Sequence, residues 1–147
     1  VRGKMPITPA TYQRNPFMDG EVDMRYWSVT STESFATTIS ADSLYDEQIP
    51  LDENDYYCIV LCRPDDMPRN ATIRNGVACL EWPEYGDGAG HLNDGMLIFR
   101  SMLPSPNFLH SIWNVNSDAE MEAVLGEYLP VMQYMSTEEF EALGNRP

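Results

Sequence analysis

The stretch whose composition comes nearest to chemistry is residues 84–95, where four acidic or imidazole side chains alternate with four glycines. Glu84, Asp87 and Asp94, with backbone carbonyls, offer the hard oxygen donors that Ca²⁺ collects. The glycines leave the backbone free to wrap an ion. The spacing is not that of an EF-hand, whose ligands fall at fixed alternate positions. The competing reading is a solvated loop. The acidic residues 52–55 can be read in the same two ways, as a cation site or as a turn between strands.

His91 and His110 are the only histidines. A hydrolase would pair one of them with Ser101 or Ser111 and an acid. The nucleophile elbow Gly-x-Ser-x-Gly is absent, and His110 lies beside an apolar stripe, where a capped or surface histidine is expected. Paired carboxylates for glycoside hydrolysis are another option, because acids are abundant. Among the aromatics, Tyr26, Trp82 and Tyr85, joined by His91, are candidates for a ligand face, since aromatic rings stack on sugars and present a polar edge. Core packing is the simpler account of the same rings. Cys58 and Cys62 sit about 13 Å apart along an expected strand, too far for a disulfide. At most one bridge, using Cys79, remains. No His or Cys spacing resembles a zinc site. Asn70-Ala71-Thr72 is a glycosylation acceptor pattern, meaningful only in an exported chain.

These groups must be positioned by a chain of 147 residues with 23 acidic and 9 basic side chains, a formal charge of −14. The length fits one domain. The charge repels a phosphate backbone and an anionic membrane surface. No apolar run is long enough for a membrane span. Candidate partners are a protein, a second copy of the chain or a carbohydrate, with Ca²⁺ as the candidate ion. The first residue is Val1, which reads as processing or as a piece of something longer.

Residues 1–24 hold Pro6, Pro9 and Pro16 and read as an extended arm. Residues 25–30 alternate, with Trp27 and Val29 inward and Ser28 and Thr30 outward, as in a half-buried strand. Residues 34–41 favour a weaker strand, and residues 42–55 read as acidic connections. Residues 56–62 are apolar on both faces and belong in the middle of a sheet. Residues 76–82 and 96–100 are further strands. Ser105-Pro106 then reads as a helix start, with Phe108, Leu109, Ile112 and Trp113 as its apolar stripe. Ser117 and Glu120 form a capping box ahead of Met121, Val124, Leu125, Tyr128 and Leu129. Ser136 and Glu139 form a second box, with Met135 and Phe140 as its hydrophobic staple and Gly144 as its stop.

Short strands followed by helices predict a mainly β fold: β-sandwich or jelly-roll-like antiparallel sheets with C-terminal α-helices. The expected parts are an arm (1–24), a sandwich core (25–104) and a helical appendix (105–147).

Trp27-Ser28-Val29-Thr30, the buried Ile59-Val60-Leu61, Leu80-Glu81-Trp82-Pro83 and the strand running Phe99-Arg100-Ser101-Met102-Leu103-Pro104 occur in that order. Together they resemble the jelly-roll-like C-terminal domain of exported bacterial proteins, the domain of unknown function 1214 family. Arg2-Gly3-Lys4-Met5-Pro6, Arg25-Tyr26-Trp27-Ser28, residues 63–71, Met102 to Phe108 and Tyr128-Leu129-Pro130 resemble longer uncharacterised secreted bacterial proteins. The resemblance implies a β-sandwich, a secreted or periplasmic location and a missing N-terminal portion. It marks no catalytic residue. The leading expectation is a non-catalytic exported domain acting in binding or assembly. Its alternatives are a hydrolase whose site is shared with a missing portion, and a Ca²⁺-dependent carbohydrate-binding module.

Overall fold

A computed structural model describes residues 1–14 and 21–144. Pro16 and the rest of residues 15–20, expected in the arm, and the last three residues lie outside the described part. Among the described residues six strands form two three-stranded sheets, and the fold is mainly β. In the first sheet Arg2–Lys4 (β1) pairs antiparallel with Tyr56–Cys62 (β4), and β4 pairs with Val77–Glu81 (β5). In the second, Met24–Thr32 (β2) is central between Ser40–Tyr45 (β3) and Met96–Pro104 (β6), both antiparallel to it.

β4 is the central strand that its apolar run predicts, because both its faces are covered. Ile59, Ala78 and Leu80 turn towards the second sheet and join Trp27, Val29 and Tyr57 in the main core. On the back, Val77 packs with Ala71 and Phe140, with Cys58, Val60 and Cys79 beside them. Phe140 comes from the helix Thr137–Ala142 (the second helix below). All three cysteines are free. The β4–β5 pair is parallel, which corrects the expectation of antiparallel sheets throughout. Residues 63–76 supply the long crossover that a parallel pair needs, as two 3₁₀ turns, Pro64–Asp66 and Ile73–Asn75.

β2 is buried on both faces, not one. Trp27 and Val29 meet the core, but Ser28 and Thr30 are each only 4 % exposed. They are small residues in a central strand. Longer neighbours flank them: Tyr45 and Arg100 beside Ser28, Ile98 beside Thr30. The weak strand expected at 34–41 begins only at Ser40, so the acidic stretch contributes Asp42 to β3.

The N-terminal segment is built into the molecule. The Val1 ammonium donates to the Ile59 carbonyl at 2.8 Å. Arg2 exchanges backbone hydrogen bonds with Val131 at 2.9 and 2.8 Å. Lys4 Nζ reaches Glu127 at 3.3 Å, and Tyr56 donates to the same carboxylate at 2.5 Å.

The C-terminal helices are shorter than their apolar stripes. Met121–Leu125 (α1) stops at Gly126, whose φ of 53° and ψ of −124° are unhelical. Thr137–Ala142 (α2) starts at the predicted capping box: Glu139 N–H donates to Ser136 Oγ at 3.2 Å, and Ser136 N–H to Glu139 Oε2 at 2.7 Å. The helix expected from residue 105 is absent; only a 3₁₀ turn, Ile112–Asn114, forms there. Side chains capture the backbone instead. Ser111 Oγ accepts from Trp113 N–H, and Asn114 Nδ2 donates to the Leu109 carbonyl. Leu109 and Trp113, expected in the core, are 72 % and 75 % exposed. No helix is long and apolar enough to cross a membrane among the described residues.

Candidate functional site

The glycine-rich stretch is the loop between β5 and β6, and two anchors hold it. At its start Trp82 N–H extends the β4 ladder by donating to the Cys62 carbonyl at 2.9 Å. Near its end Arg63 donates to the Leu92 carbonyl and to Asn93 Oδ1. Between them the chain folds back on itself at Gly86. There φ is 60°, and a Cβ would lie 2.1 Å from the His91 carbonyl oxygen. Only glycine fits that approach.

The fold-back makes Asp87 the hub of the loop. Its Oδ1 accepts from the N–H groups of Ala89 at 2.8 Å and His91 at 3.1 Å. Its Oδ2 sits 2.6 Å from His91 Nδ1. The bond from His91, with help from the Ala89 N–H, holds the Asp87 carboxyl down at about 2. The same bond, and the negative charge behind it, raise His91 above its usual range. Asp94 follows because its N–H donates to the His91 carbonyl at 3.0 Å. One ligand atom each from Asp87, His91 and Asp94 then lies within 4.8 Å of the others.

The structure thus brings Asp87 and Asp94 together and adds His91, which the sequence placed among ligand-contacting residues rather than metal donors. Glu84 is exposed and precedes the fold-back, and it is not in the group. Tyr85 lies within the loop just before Gly86, 63 % exposed. Trp82 is half-buried against Gly95, where a Cβ would come within 2.8 Å of its ring. Tyr26 lies elsewhere. It pairs with Met102, whereas the loop joins β6 at Met96, about 20 Å away along the strand. Glu33 was not foreseen; its carboxylate lies against Gly88 at the loop tip.

No family model, curated protein or solved structure matches this chain.

The other sequence candidates resolve into structural roles. Asp52 Oδ1 accepts from the N–H groups of Asn54 and Tyr56 at 2.8 and 3.0 Å, which closes the acidic turn; these bonds lower its pKa. Ser101 and His110 both line a cavity of about 80 Å³ beneath Trp27, Phe108 and Tyr128. His110 spends Nδ1 on the Val124 carbonyl at 2.8 Å, not on a carboxylate, and stacks on Tyr128. Ser111 is 3 % exposed and accepts from Trp113 N–H. His91 has the acidic partner a triad needs, but its ring is 68 % exposed on a loop and is not among the cavity residues. The cysteines are poor nucleophiles, because burial pushes all three thiols up, Cys62 to about 11.

What the loop can do is hold a cation. Two carboxylates and an imidazole converge on one exposed spot, and the proton on His91 is what an ion would displace.

Proposed function

We propose that this chain is a non-catalytic, exported β-sandwich domain that works by binding. Residues 84–95 are its ligand loop, with a divalent cation held by Asp87, His91 and Asp94. The observation that carries this reading is the convergence of those three donors within 4.8 Å on a loop that Gly86 folds back. The donor set changes the choice of ion. An imidazole nitrogen with carboxylates suits Zn²⁺ or Mn²⁺, whereas Ca²⁺ takes oxygen ligands. The exposed ring of Tyr85 supplies a surface on which a sugar can stack next to the ion.

The sandwich reading is supported by the core the two sheets share, with the Trp27 and Tyr57 rings 5.1 Å apart across it. Export rests on the resemblance to secreted bacterial proteins. The charge of −14 supports a cationic or neutral ligand over nucleic acid.

Calorimetric titration of the purified chain with Zn²⁺ and with Mn²⁺ tests the site. Saturable binding of one ion is expected, weakened at least about tenfold by His91→Ala and by Asp94→Ala. A flat titration with both ions, or binding that survives both substitutions, would overturn it.

A further inference from the structure

Two three-stranded sheets have four edges, and three of them are closed. β1 is only three residues long, carries Arg2 and Lys4, and has its outer side bonded to Val131. The end of β5 is tied to the second sheet: Glu81 N–H donates to Asp42 Oδ2 at 3.1 Å, and Ser31 Oγ donates to the Glu81 carbonyl at 2.6 Å. β3 is six residues long, carries the charge of Asp42 between exposed Ala41 and Ser43, and shifts its register with β2 between Ser31 and Thr32. Charges, short length and bulges are the devices that keep strand edges from pairing.

Between Met96 and Met102, β6 has only one of them, the single charge of Arg100. It is nine residues long and pairs continuously with β2 from Met96 to Met102, before an irregularity at Leu103 (φ 49°). Among the described residues, β2 is the only strand hydrogen-bonded to it. Apart from Ser101 on the Trp27 side and Arg100 on the other, its side chains from Met96 to Met102 are apolar on both faces: Leu97 and Phe99 on the first, Met96, Ile98 and Met102 on the second. Met102 is 53 % exposed, and the chain leaving β6 keeps Leu109 and Trp113 in solvent.

An edge of free N–H and C=O groups is complemented by one thing, an extended strand. From this we infer that the strand is β6 of a second copy, added antiparallel across a two-fold axis to make one six-stranded sheet. The sequence of β6 fits itself. With the axis at Phe99, Met96 faces Met102 and Leu97 faces Ser101. Arg100 then faces Ile98, not its own copy, so no like charges are opposed. A basic foreign strand would meet Arg100 and gain nothing there. The two copies, at −14 each, repel at long range. Salt must therefore strengthen the dimer, whereas it would weaken binding of a basic strand to this acidic chain.

The test is sedimentation equilibrium of the full chain over a hundredfold concentration range, at low and high salt. The expected result is a monomer–dimer equilibrium, twice 16.7 kDa at the upper end, shifted towards dimer by salt. Met102→Lys puts a charge on an exposed side chain. It should leave the melting temperature of the monomer unchanged and abolish the dimer. A wild-type monomer at every concentration would overturn the inference, as would a dimer that Met102→Lys leaves intact or that salt dissociates.

Discussion

Gly3 and Tyr57 face each other across the β1–β4 ladder, and the missing side chain of Gly3 is the space that the Tyr57 ring occupies. A Cβ on Gly3 would lie 2.6 Å from the phenolic oxygen and 3.0 Å from the carbon that bears it. Tyr57 is 1 % exposed, and its hydroxyl has no hydrogen-bond partner among the described residues. Gly3→Ala should therefore destabilise the chain by about 1–3 kcal/mol through overpacking. Tyr57→Phe should cost nothing, or stabilise, because it removes a desolvated hydroxyl. In the double variant the cost of Gly3→Ala should shrink. Denaturant melts of the four proteins check this cycle, and a Tyr57→Phe variant less stable than the parent would contradict it.

The Asp87–His91 pair sets a pH window. Asp87 has its pKa depressed to about 2, so its contribution is present above the ordinary carboxylate pKa and fades as pH falls towards 2. His91 has its pKa raised, so its contribution is full below the ordinary imidazole pKa and fades as pH rises through the higher, folded value. The loop should be best ordered between those limits. An NMR titration of His91 should give a midpoint above 6.5, and Asp87→Asn should bring it down. An unchanged midpoint in the variant would show that the pair does not form in solution. The His91 ring is 68 % exposed, so solvent screens the pair and the overall melting temperature should hardly move.

Gly86 controls the loop more than any of its charged residues does. Gly86→Ala forces a left-handed residue, about 1–2 kcal/mol, and drives a methyl into the His91 backbone. The expected outcome is a native far-UV spectrum with loss of the raised His91 midpoint and of ion binding. If the variant still binds Zn²⁺ or Mn²⁺ with parental affinity, the fold-back is not what brings Asp87, His91 and Asp94 together.

Phe140 guards the back of the first sheet. Phe140→Ala should cost about 3–5 kcal/mol if the site stays open. It should also raise the alkylation rate of Cys58 and Cys79, which share that apolar cluster. Mass-spectrometric labelling at fixed pH reads this directly. Unaltered rates would mean that α2 is not the cover over these thiols.

The parts of the fold legible in the sequence were those where side-chain pattern and burial coincide. β4 is apolar on alternate and intervening positions because α2 and the second sheet cover its two faces. The Ser136–Glu139 box is local and forms as read. The parallel β4–β5 pair was illegible, since periodicity tells which face a residue takes and not the direction of its neighbour. Ser28 and Thr30 misled because a small polar residue in a central strand can be buried by the length of the side chains around it. The stripe Phe108, Leu109, Ile112, Trp113 has helical spacing, yet Asn and Ser side chains claim the backbone groups a helix needs.

At the loop, Asp87 and Asp94 stood out by composition. That His91 joins them, and that Glu84 does not, depends on where the chain reverses. Gly86 sets that point, and glycine is common in loops of every shape. Tyr26 looked equivalent to Tyr85 in sequence and is separated from it by most of the length of β6.

The long β2–β6 ladder crosses the loop that separates the two halves of the chain. Residues before the loop hold β1 to β5, and residues after it hold β6, α1 and α2. The halves are sewn together by that ladder, by the Arg2–Val131 exchange, and by α2, where Asn70 Nδ2 reaches the Phe140 and Gly144 carbonyls at 3.2 and 2.8 Å. A protease that nicks the exposed tip near Gly88 cuts one covalent bond and none of these seams. The molecule is thus a clasp of two interlocked pieces, and it should survive such a cut as a two-chain protein.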